Sequence, residues 1–278
     1  MKIFTTLLLF AATLANAQDQ RFVYEYKFIS DSTNVSDVKT EMMNLDVSKE
    51  GSKFYSYTTY KSDSLMKVDL EKQLKTTGMI DIKSDMRKGN VRYSVTKMYP
   101  DYNVFFHTKM MMDAYKVKED RKISWNILPE KSKIGEWNVQ KAETNFGGRK
   151  WTAWFSTEIP ILDGPYKFHG LPGLIVKIED KTNSHIFELK GISKVGETTI
   201  ENDVFKSNEI QISQKQYAKV VSDYESDPTK GLKQMQMGGA NIVMVGKNGD
   251  NDQFMRDREK SIKDKLKKDN NKIELTSK

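Results

Sequence analysis

Apolar and polar residues alternate with a period of two along much of this chain, and this pattern constrains the fold most. Aromatic side chains occupy every second position from Phe22 to Phe28, and Met43, Leu45 and Val47 repeat the spacing. A period of two is typical of strands with one buried face. Short polar turns, with no clear helical pattern, separate such runs in the first two thirds of the chain, which favours an antiparallel sheet.

A hairpin is predicted around the pair Gly147-Gly148. The β-rich runs Glu136 to Phe146 and Arg149 to Phe155 flank the pair, and both glycines accept the positive φ of a tight hairpin turn. The aromatic and threonine-rich stretch from Phe54 to Tyr60 is also predicted to be a strand.

One helix is predicted near residues 213–224. Ser213 and Gln216 have the spacing of a capping box, in which each side chain bonds the backbone of the other residue. Four apolar or aromatic residues then share one helical face: Tyr217, Val220, Val221 and Tyr224.

The segment from Trp151 to Asp180 holds three of the six prolines. Within it, Leu171-Pro172-Gly173-Leu174 predicts a type II turn, because proline presets φ at the second position and glycine tolerates positive φ at the third. The apolar run Leu174 to Ile178 then predicts a strand. We therefore interpret Gly170, Pro172 and Gly173 as a structural turn and not as a reaction centre.

The N-terminus has the pattern of a signal peptide over residues 1–17. Lys2 precedes an apolar run from Ile3 to Leu14, and Ala15-Asn16-Ala17 matches a cleavage site, so cleavage is expected after Ala17. The protein is then exported, to the periplasm or outside the cell, and no transmembrane segment is predicted in the mature chain. We expect one β-rich domain over residues 18–249 and a charged tail over 250–278, either helical or mobile.

Cysteine usage and charge exclude several classes of function. The chain has no cysteine, which excludes a thiolate metal site, a cysteine nucleophile and a lipid-modified cysteine. Without Lys2, 44 Lys and Arg face 38 Asp and Glu, a net charge of +6. These charges are interspersed, and since nucleic-acid binding requires a concentrated basic patch, a nucleic-acid partner is not expected.

Aromatic residues and one histidine form the predicted ligand-binding set. All four tryptophans lie between residues 125 and 154. Trp151 and Trp154 are three residues apart, so on one strand they face opposite sides, and one of them can meet solvent. The set comprises Trp151, Trp154, Tyr166 and His169, with core packing as the alternative role for the large rings.

Two alternatives concern catalysis and metal binding. Glu158, Asp163 and Asp180 are candidate acid–base pairs for a hydrolase acting on envelope or extracellular polymers, although each is also an ordinary turn or strand-end residue. His107 and Met110–Met112 offer nitrogen and thioether ligands for copper, with core filling by methionine as the alternative. No cofactor-binding motif is present in the sequence, and we assign no catalytic or metal-ligating residue.

Several motifs between residues 120 and 192 resemble those of a known family. They are Ile134-Gly135-Glu136-Trp137, Trp151-Thr152-Ala153-Trp154-Phe155, Gly164-Pro165-Tyr166-Lys167-Phe168 and the hexapeptide Gly170-Leu171-Pro172-Gly173-Leu174-Ile175. The chain resembles the GLPGLI family, exported proteins of Bacteroidota whose molecular function is unassigned. It is also similar, more weakly, to the bowl-shaped, non-catalytic N-terminal module of some bacterial peptide-N-glycanases. That resemblance implies a curved sheet and a binding or accessory role, and it carries over no catalytic residue.

These inferences predict a mainly β fold, a strongly curved antiparallel sheet or partly open barrel, with a C-terminal helix and a charged tail. The leading functional hypothesis is an exported non-enzymatic protein that binds a peptide, glycan or protein partner of the envelope or the extracellular space.

Overall fold

A computed structural model describes residues 19–78, 87–110, 113–195, 208–237 and 251–275. The predicted signal peptide, residues 1–17, lies outside these ranges. The described residues form twelve strands and four helices: β1 (Gln20–Ile29), β2 (Val38–Val47), β3 (Gly51–Ser56), α1 (Tyr57–Thr77), β4 (Ser94–Met98), β5 (Asn103–Met110), β6 (Asp113–Glu119), β7 (Asn126–Ile134), β8 (Trp137–Phe146), β9 (Arg149–Ser156), β10 (Leu174–Asp180), β11 (His185–Lys194), β12 (Ile210–Ser213), α2 (Gln214–Ser226), α3 (Lys230–Met237) and α4 (Asn251–Lys268).

All twelve strands belong to one open sheet. Their order is β12-β6-β5-β4-β3-β2-β1-β11-β10-β9-β8-β7, and every neighbouring pair is antiparallel except β12 and β6, which are parallel. The prediction of a mainly β fold with a C-terminal helix is confirmed. The sheet is mixed, however, because β12, which follows β11 in the chain, pairs in parallel with β6 at the edge of the sheet.

The core lies on one face of the sheet, here called the inner face. Phe22, Tyr24 and Tyr26 of β1 point to this face and are buried, as their spacing predicts. β1 pairs with β2 and β11, so these aromatics meet Leu45 and Phe187 from the adjacent strands. On the opposite, outer face, β1 carries the charged residues Arg21, Glu25 and Lys27.

The Gly147-Gly148 hairpin is confirmed, whereas one predicted strand is wrong. Gly147 and Gly148 have φ of 60° and 76° and join β8 to β9. The stretch from Phe54 to Tyr60 is a strand only to Ser56, and α1 begins at Tyr57. Ser56 caps this helix by accepting a hydrogen bond from the Thr59 N–H at 3.0 Å, and that short-range signal outweighs the β propensity of the aromatic residues.

The predicted late helix is α2, and its capping box is present. The Ser213 side chain accepts from the Gln216 N–H, and the Gln216 side chain accepts from the Ser213 N–H at 2.9 Å. Beyond it, α4 occupies much of the charged tail, and residues 269–275 then run back across the ends of the strands. Of the described helices, none has the length and apolarity that crossing a bilayer requires.

The connection between β9 and β10 packs into the core. Tyr166, Phe168 and Leu171 are all buried against the inner face. Gly173 has φ of 152°, and a Cβ there would lie 2.1 Å from the Ser156 carbonyl oxygen, so only glycine fits this close approach. The predicted type II turn is replaced by a tighter one, in which the Gly173 N–H donates to the Leu171 carbonyl at 2.8 Å. We call residues 158–173 the core segment.

Candidate functional site

A buried ion pair anchors the core segment to the sheet. The Nζ atom of Lys97 on β4 donates to Oδ1 of Asp163 at 2.5 Å and to the Gly164 carbonyl at 2.6 Å. Ser52 donates to the other carboxylate oxygen at 2.6 Å, and Tyr99 donates to it as well. Neither charged side chain has exposed surface, so the pair is fully enclosed, and both Asp163 carboxylate oxygens accept hydrogen bonds.

A second charged cluster surrounds Lys167. Its ammonium group contacts Glu119 at 2.8 Å and Glu274 at 2.6 Å, and its side chain is only 3% exposed. Burial alone would raise the pKa of Glu119, but the Arg121 and Lys167 side chains outweigh it and hold that pKa at about 2. Glu274 also receives the Tyr166 hydroxyl at 2.5 Å and Arg121 at 2.6 Å. Burial again opposes the shift, and the two cations hold the pKa of Glu274 below its usual range.

A third cluster joins Arg149, Asp180 and His185 at the ends of β9, β10 and β11. Arg149 donates to Asp180 at 3.0 Å, and the His185 N–H donates to the same carboxylate at 2.8 Å. Burial, followed by the charge of Arg149, lowers the pKa of His185 to about 4. Burial opposes ionisation of Asp180, but hydrogen bonds from Thr182 and His185 and the charge of Arg149 keep the pKa of Asp180 lowered.

The four predicted ligand-binding residues fall into two groups. Trp151 and Tyr166 are buried in the core, where the Trp151 indole donates to the Phe146 carbonyl at 3.0 Å. Trp154 and His169 are half-buried and meet solvent. The predicted opposite orientation of Trp151 and Trp154 is confirmed by the alternating burial along β9. Ligand contact at these residues stays a prediction, and only the second group is accessible in this conformation.

Trp154 lies on the outer face of the sheet between two cations. Lys141 of β8 and Lys177 of β10 are its register partners on either side. Within the described part of the chain, the Trp154 indole N–H has no hydrogen-bond acceptor. The indole packs partly against the hydrophobic core and keeps a free N–H donor, while Lys141 and Lys177, on the adjacent strands, lie near Glu143 and Glu179.

His169 stacks on Tyr102, with parallel rings 4.9 Å apart. Its Nδ1 lies 2.8 Å from the Lys167 carbonyl, and since a carbonyl only accepts, Nδ1 carries the proton. Burial lowers the pKa of His169, which favours the neutral ring. The His169 carbonyl in turn accepts from the Trp125 indole at 2.8 Å, so the histidine is held in one orientation.

The candidate catalytic carboxylates do not come together. Asp163 and Asp180 are in the separate buried clusters described above, and Glu158 is on the surface with Asn138, which donates to it at 2.6 Å. Among the described residues, none of these three carboxylates shares a hydrogen-bond partner with another. They therefore do not form an acid–base pair around one cavity in this conformation.

His107, the candidate copper ligand, uses both ring nitrogens in hydrogen bonds. Nδ1 contacts the Glu209 carboxylate at 2.9 Å, and Nε2 lies 2.8 Å from the Thr96 hydroxyl. Met111 and Met112 lie outside the described residues, and among the described residues no three His, Asp or Glu side chains converge on a possible metal position. The order carboxylate, imidazole, hydroxyl resembles that of acyl-transfer triads, but Thr96 here is in the middle of β4.

A cleft of about 150 Å³ lies beside His107, between α1 and the ends of β3, β4 and β5. Its lining includes Tyr93, Tyr60, Arg92 and Glu209. Among the described residues, the buried Tyr93 hydroxyl has no hydrogen-bond partner, and burial strongly raises its pKa. The Tyr93 ring packs against Phe106 and Tyr166, so its neutral phenol hydroxyl lies behind the cleft wall and not at its surface.

Sequence reasoning missed Lys97, Lys167, Arg149 and Glu274, the charged residues on which the inner face depends. Lysine and glutamate are rarely buried unless paired, and the partners of these four residues are between 31 and 153 residues away in sequence. The only local signal was the alternation on β4, where Lys97 shares the parity of the buried Val95.

Comparison with known proteins supports the class of fold that these features define. A family model described as a protein of unknown function (Porph_ging) matches residues 45–177, which include the core segment and the hexapeptide. The chain is similar in fold to two crystal structures of PNGF-II in different space groups, with TM-scores of 0.52 and 0.53 and sequence identities of 13% and 12%. Both alignments cover 73% of this chain but only 33% and 32% of the other, so the chain spans about a third of PNGF-II. No curated protein matches the sequence.

Proposed function

We propose that this chain is an exported, non-catalytic module of the GLPGLI type that binds a peptide, glycan or protein partner of the envelope through the outer face around Trp154. The observation that carries this proposal is the half-exposed indole of Trp154 between Lys141 and Lys177. Tryptophan usually finds a partner for its N–H when it is buried, so an unpaired indole donor on a rigid strand is suited to a ligand.

The chemistry of this surface favours a ligand with a flat apolar side and acidic or hydroxyl groups. An indole face packs against a sugar ring or an aromatic side chain, and two lysines beside it attract carboxylates. In the neighbouring row of the outer face, Glu143 pairs with Lys150 at 2.9 Å and Glu179 pairs with Lys177 at 2.8 Å. Thr152 lies between the two glutamates in the register of the sheet.

The inner face, in this proposal, stabilises the fold. Its charged side chains pair with one another in three enclosed clusters, and the core segment covers the aromatic residues of β1. Export follows from the pattern of residues 1–17, and the resemblance over residues 120–192 supports the GLPGLI assignment.

The test compares Trp154→Ala with Trp137→Ala, a matched change at another half-buried indole on the adjacent hairpin. Each full-length variant is measured for retention on an envelope-glycan array, for recovery of partners from an envelope extract and for its free energy of unfolding. We expect Trp154→Ala to lose retention while the free energy of unfolding falls by no more than about 2 kcal/mol. A large loss of stability, or retention equal to that of the wild type, contradicts the proposal.

A further inference from the structure

Residues 270–275 form an extended strip that lies on the sheet ends after α4. The strip is half-exposed from Asn271 to Glu274, and Leu275 is exposed, so it lies at the surface and not within the core. Ile273 packs against the hydrophobic core, and the other contacts of the strip are mainly hydrogen bonds and ion pairs to the sheet and the core segment.

At one end of the strip, Asn271 makes the hydrogen bonds to the sheet. Its backbone N–H donates to the Ser30 carbonyl at 3.0 Å, and its side-chain N–H donates to the Ile29 carbonyl at 2.8 Å. Arg149 donates to the Asn271 side-chain oxygen at 2.7 Å, and His185 donates to the Asn271 carbonyl at 2.9 Å. Both side-chain groups and both backbone groups of this asparagine are thus paired.

At the other end of the strip, Glu274 makes the main contacts. Its carboxylate accepts from Lys167, Tyr166 and Arg121 at 2.6, 2.5 and 2.6 Å. Lys167 also pairs with Glu119 at 2.8 Å, and the Tyr166 ring packs against Phe106 and Phe168, so both donors have contacts that do not involve the strip. A preformed set of three donors around one carboxylate is a recognition site for an acidic side chain.

The Gly147-Gly148 turn lies directly against the strip at its Glu274 end. The Leu275 N–H donates to the Gly147 carbonyl at 2.7 Å. A Cβ at Gly147 would lie 2.8 Å from Cγ of Glu274, and a Cβ at Gly148 would lie 2.8 Å from the Leu275 carbonyl oxygen. The two glycines therefore serve the hairpin and also let a second chain segment approach closely.

We propose that this groove is a peptide-binding site which the chain fills with its own residues 270–275, and which takes in trans an extended acidic peptide of a partner protein. The pattern it fits is asparagine, any residue, an apolar residue and an acidic residue, as in Asn271 to Glu274. Charge complementarity supports this occupant, because Arg121, Lys167 and Arg149 all face the strip. The site is separate from the outer face around Trp154.

The first experiment uses the full-length chain with Glu274→Lys, which places a cation against Arg121 and Lys167 and so displaces the strip. The probe is a fluorescent synthetic peptide of residues 269–275, and anisotropy gives its affinity. We expect the variant to bind this peptide at least about tenfold more tightly than the wild type, in which the strip competes. The same peptide with Glu274→Gln should bind the variant at least about tenfold more weakly. A folded variant that binds neither peptide, or both equally, overturns the proposal.

The second experiment needs no variant, so a folding defect cannot obscure it. Hydrogen exchange of the wild-type chain reports how often the Asn271 and Leu275 amides open. We expect both to exchange at least about tenfold faster than the amides of β1, because the strip must leave without global unfolding. Exchange of the strip only at the rate of global unfolding overturns the proposal. Dimers that exchange the strip between copies would also overturn it, since the occupant would then be a second copy of this chain.

Discussion

The ammonium group of Lys97 lies 2.5 Å from the carboxylate of Asp163, and neither side chain has exposed surface. The two residues come from β4 and from the core segment, 66 positions apart. Their contact, with the hydrogen bonds from Ser52 and Tyr99, fixes the core segment against the inner face.

Removing one partner of this pair should be costly, because the other charge is then buried without compensation. We expect Asp163→Asn or Lys97→Met to lower the free energy of unfolding by about 3–5 kcal/mol in denaturant titration. Lys97→Met combined with Asp163→Leu should recover most of that loss. As a control, Lys219→Met removes the exposed pair with Asp223 and should cost less than about 1 kcal/mol. Additive losses in the double variant would contradict an enclosed pair.

Alanine substitutions at three glycines distinguish the stability cost of backbone strain from the cost of a close contact. Gly170 has φ of 89° with open space around its missing Cβ, whereas Gly173 has both positive φ and the Ser156 oxygen at 2.1 Å. We expect Gly170→Ala to cost about 1 kcal/mol and Gly173→Ala to cost more, about 3 kcal/mol. Gly191→Ala, with neither constraint, should change stability by less than about 0.5 kcal/mol. Equal effects at Gly170 and Gly173 would refute the close approach.

The stability of the fold should depend on pH through His185. A carbonyl only accepts, so Nε2 carries the proton that bonds the Asn271 carbonyl, and Nδ1 accepts from the Tyr26 hydroxyl at 2.7 Å. Its pKa is near 6.5 in the unfolded chain and about 4 in the folded one. Between about pH 6.5 and pH 4, the His185 side chain is therefore mostly protonated in the unfolded chain and mostly neutral in the folded chain.

The free energy of unfolding should consequently fall as the pH decreases from about 6.5 to about 4, by up to about 3 kcal/mol, and this contribution levels off at lower pH. His185→Gln keeps a donor and an acceptor but does not titrate, so it serves as the matched control. The difference between the two curves over this interval isolates the histidine from the carboxylates. Curves that run parallel would show that His185 titrates with the same pKa in the folded and the unfolded chain.

Alanine substitutions at the two tryptophans of β9 should lower the free energy of unfolding by very different amounts. Trp151 is 1% exposed and packs against Phe168, with ring centroids 4.8 Å apart. Trp151→Ala should therefore cost about 3–5 kcal/mol, well above the loss expected for Trp154→Ala. Chemical denaturation of both variants checks this order, and a greater loss at Trp154 would mean that the outer ring is the structural one.

The sequence predicts features that depend on neighbouring residues in the chain, and it does not predict contacts between residues that are far apart in the chain. The alternation on β1, the Gly147-Gly148 hairpin and the Ser213 capping box are local signals, and each appears in the structure. Helix α1 was missed because its few buried residues, Ser62 and Met66, leave no clear apolar stripe. The charged clusters were missed because their members meet only after folding. Among the predicted ligand residues, the spacing of Trp151 and Trp154 distinguished their faces, but it did not show which face is buried.

The central claim is that residues 158–173 are a structural part of the core, and amide hydrogen exchange tests it most directly. The amides of Gly170, Leu174 and Ile175 donate to the carbonyls of Leu162, Ile159 and Asp163, each at 3.0 Å. The account predicts that these amides exchange only with global unfolding, as slowly as those of Tyr24 and Phe187 in the sheet. Rapid exchange at these amides while the sheet stays protected would contradict it.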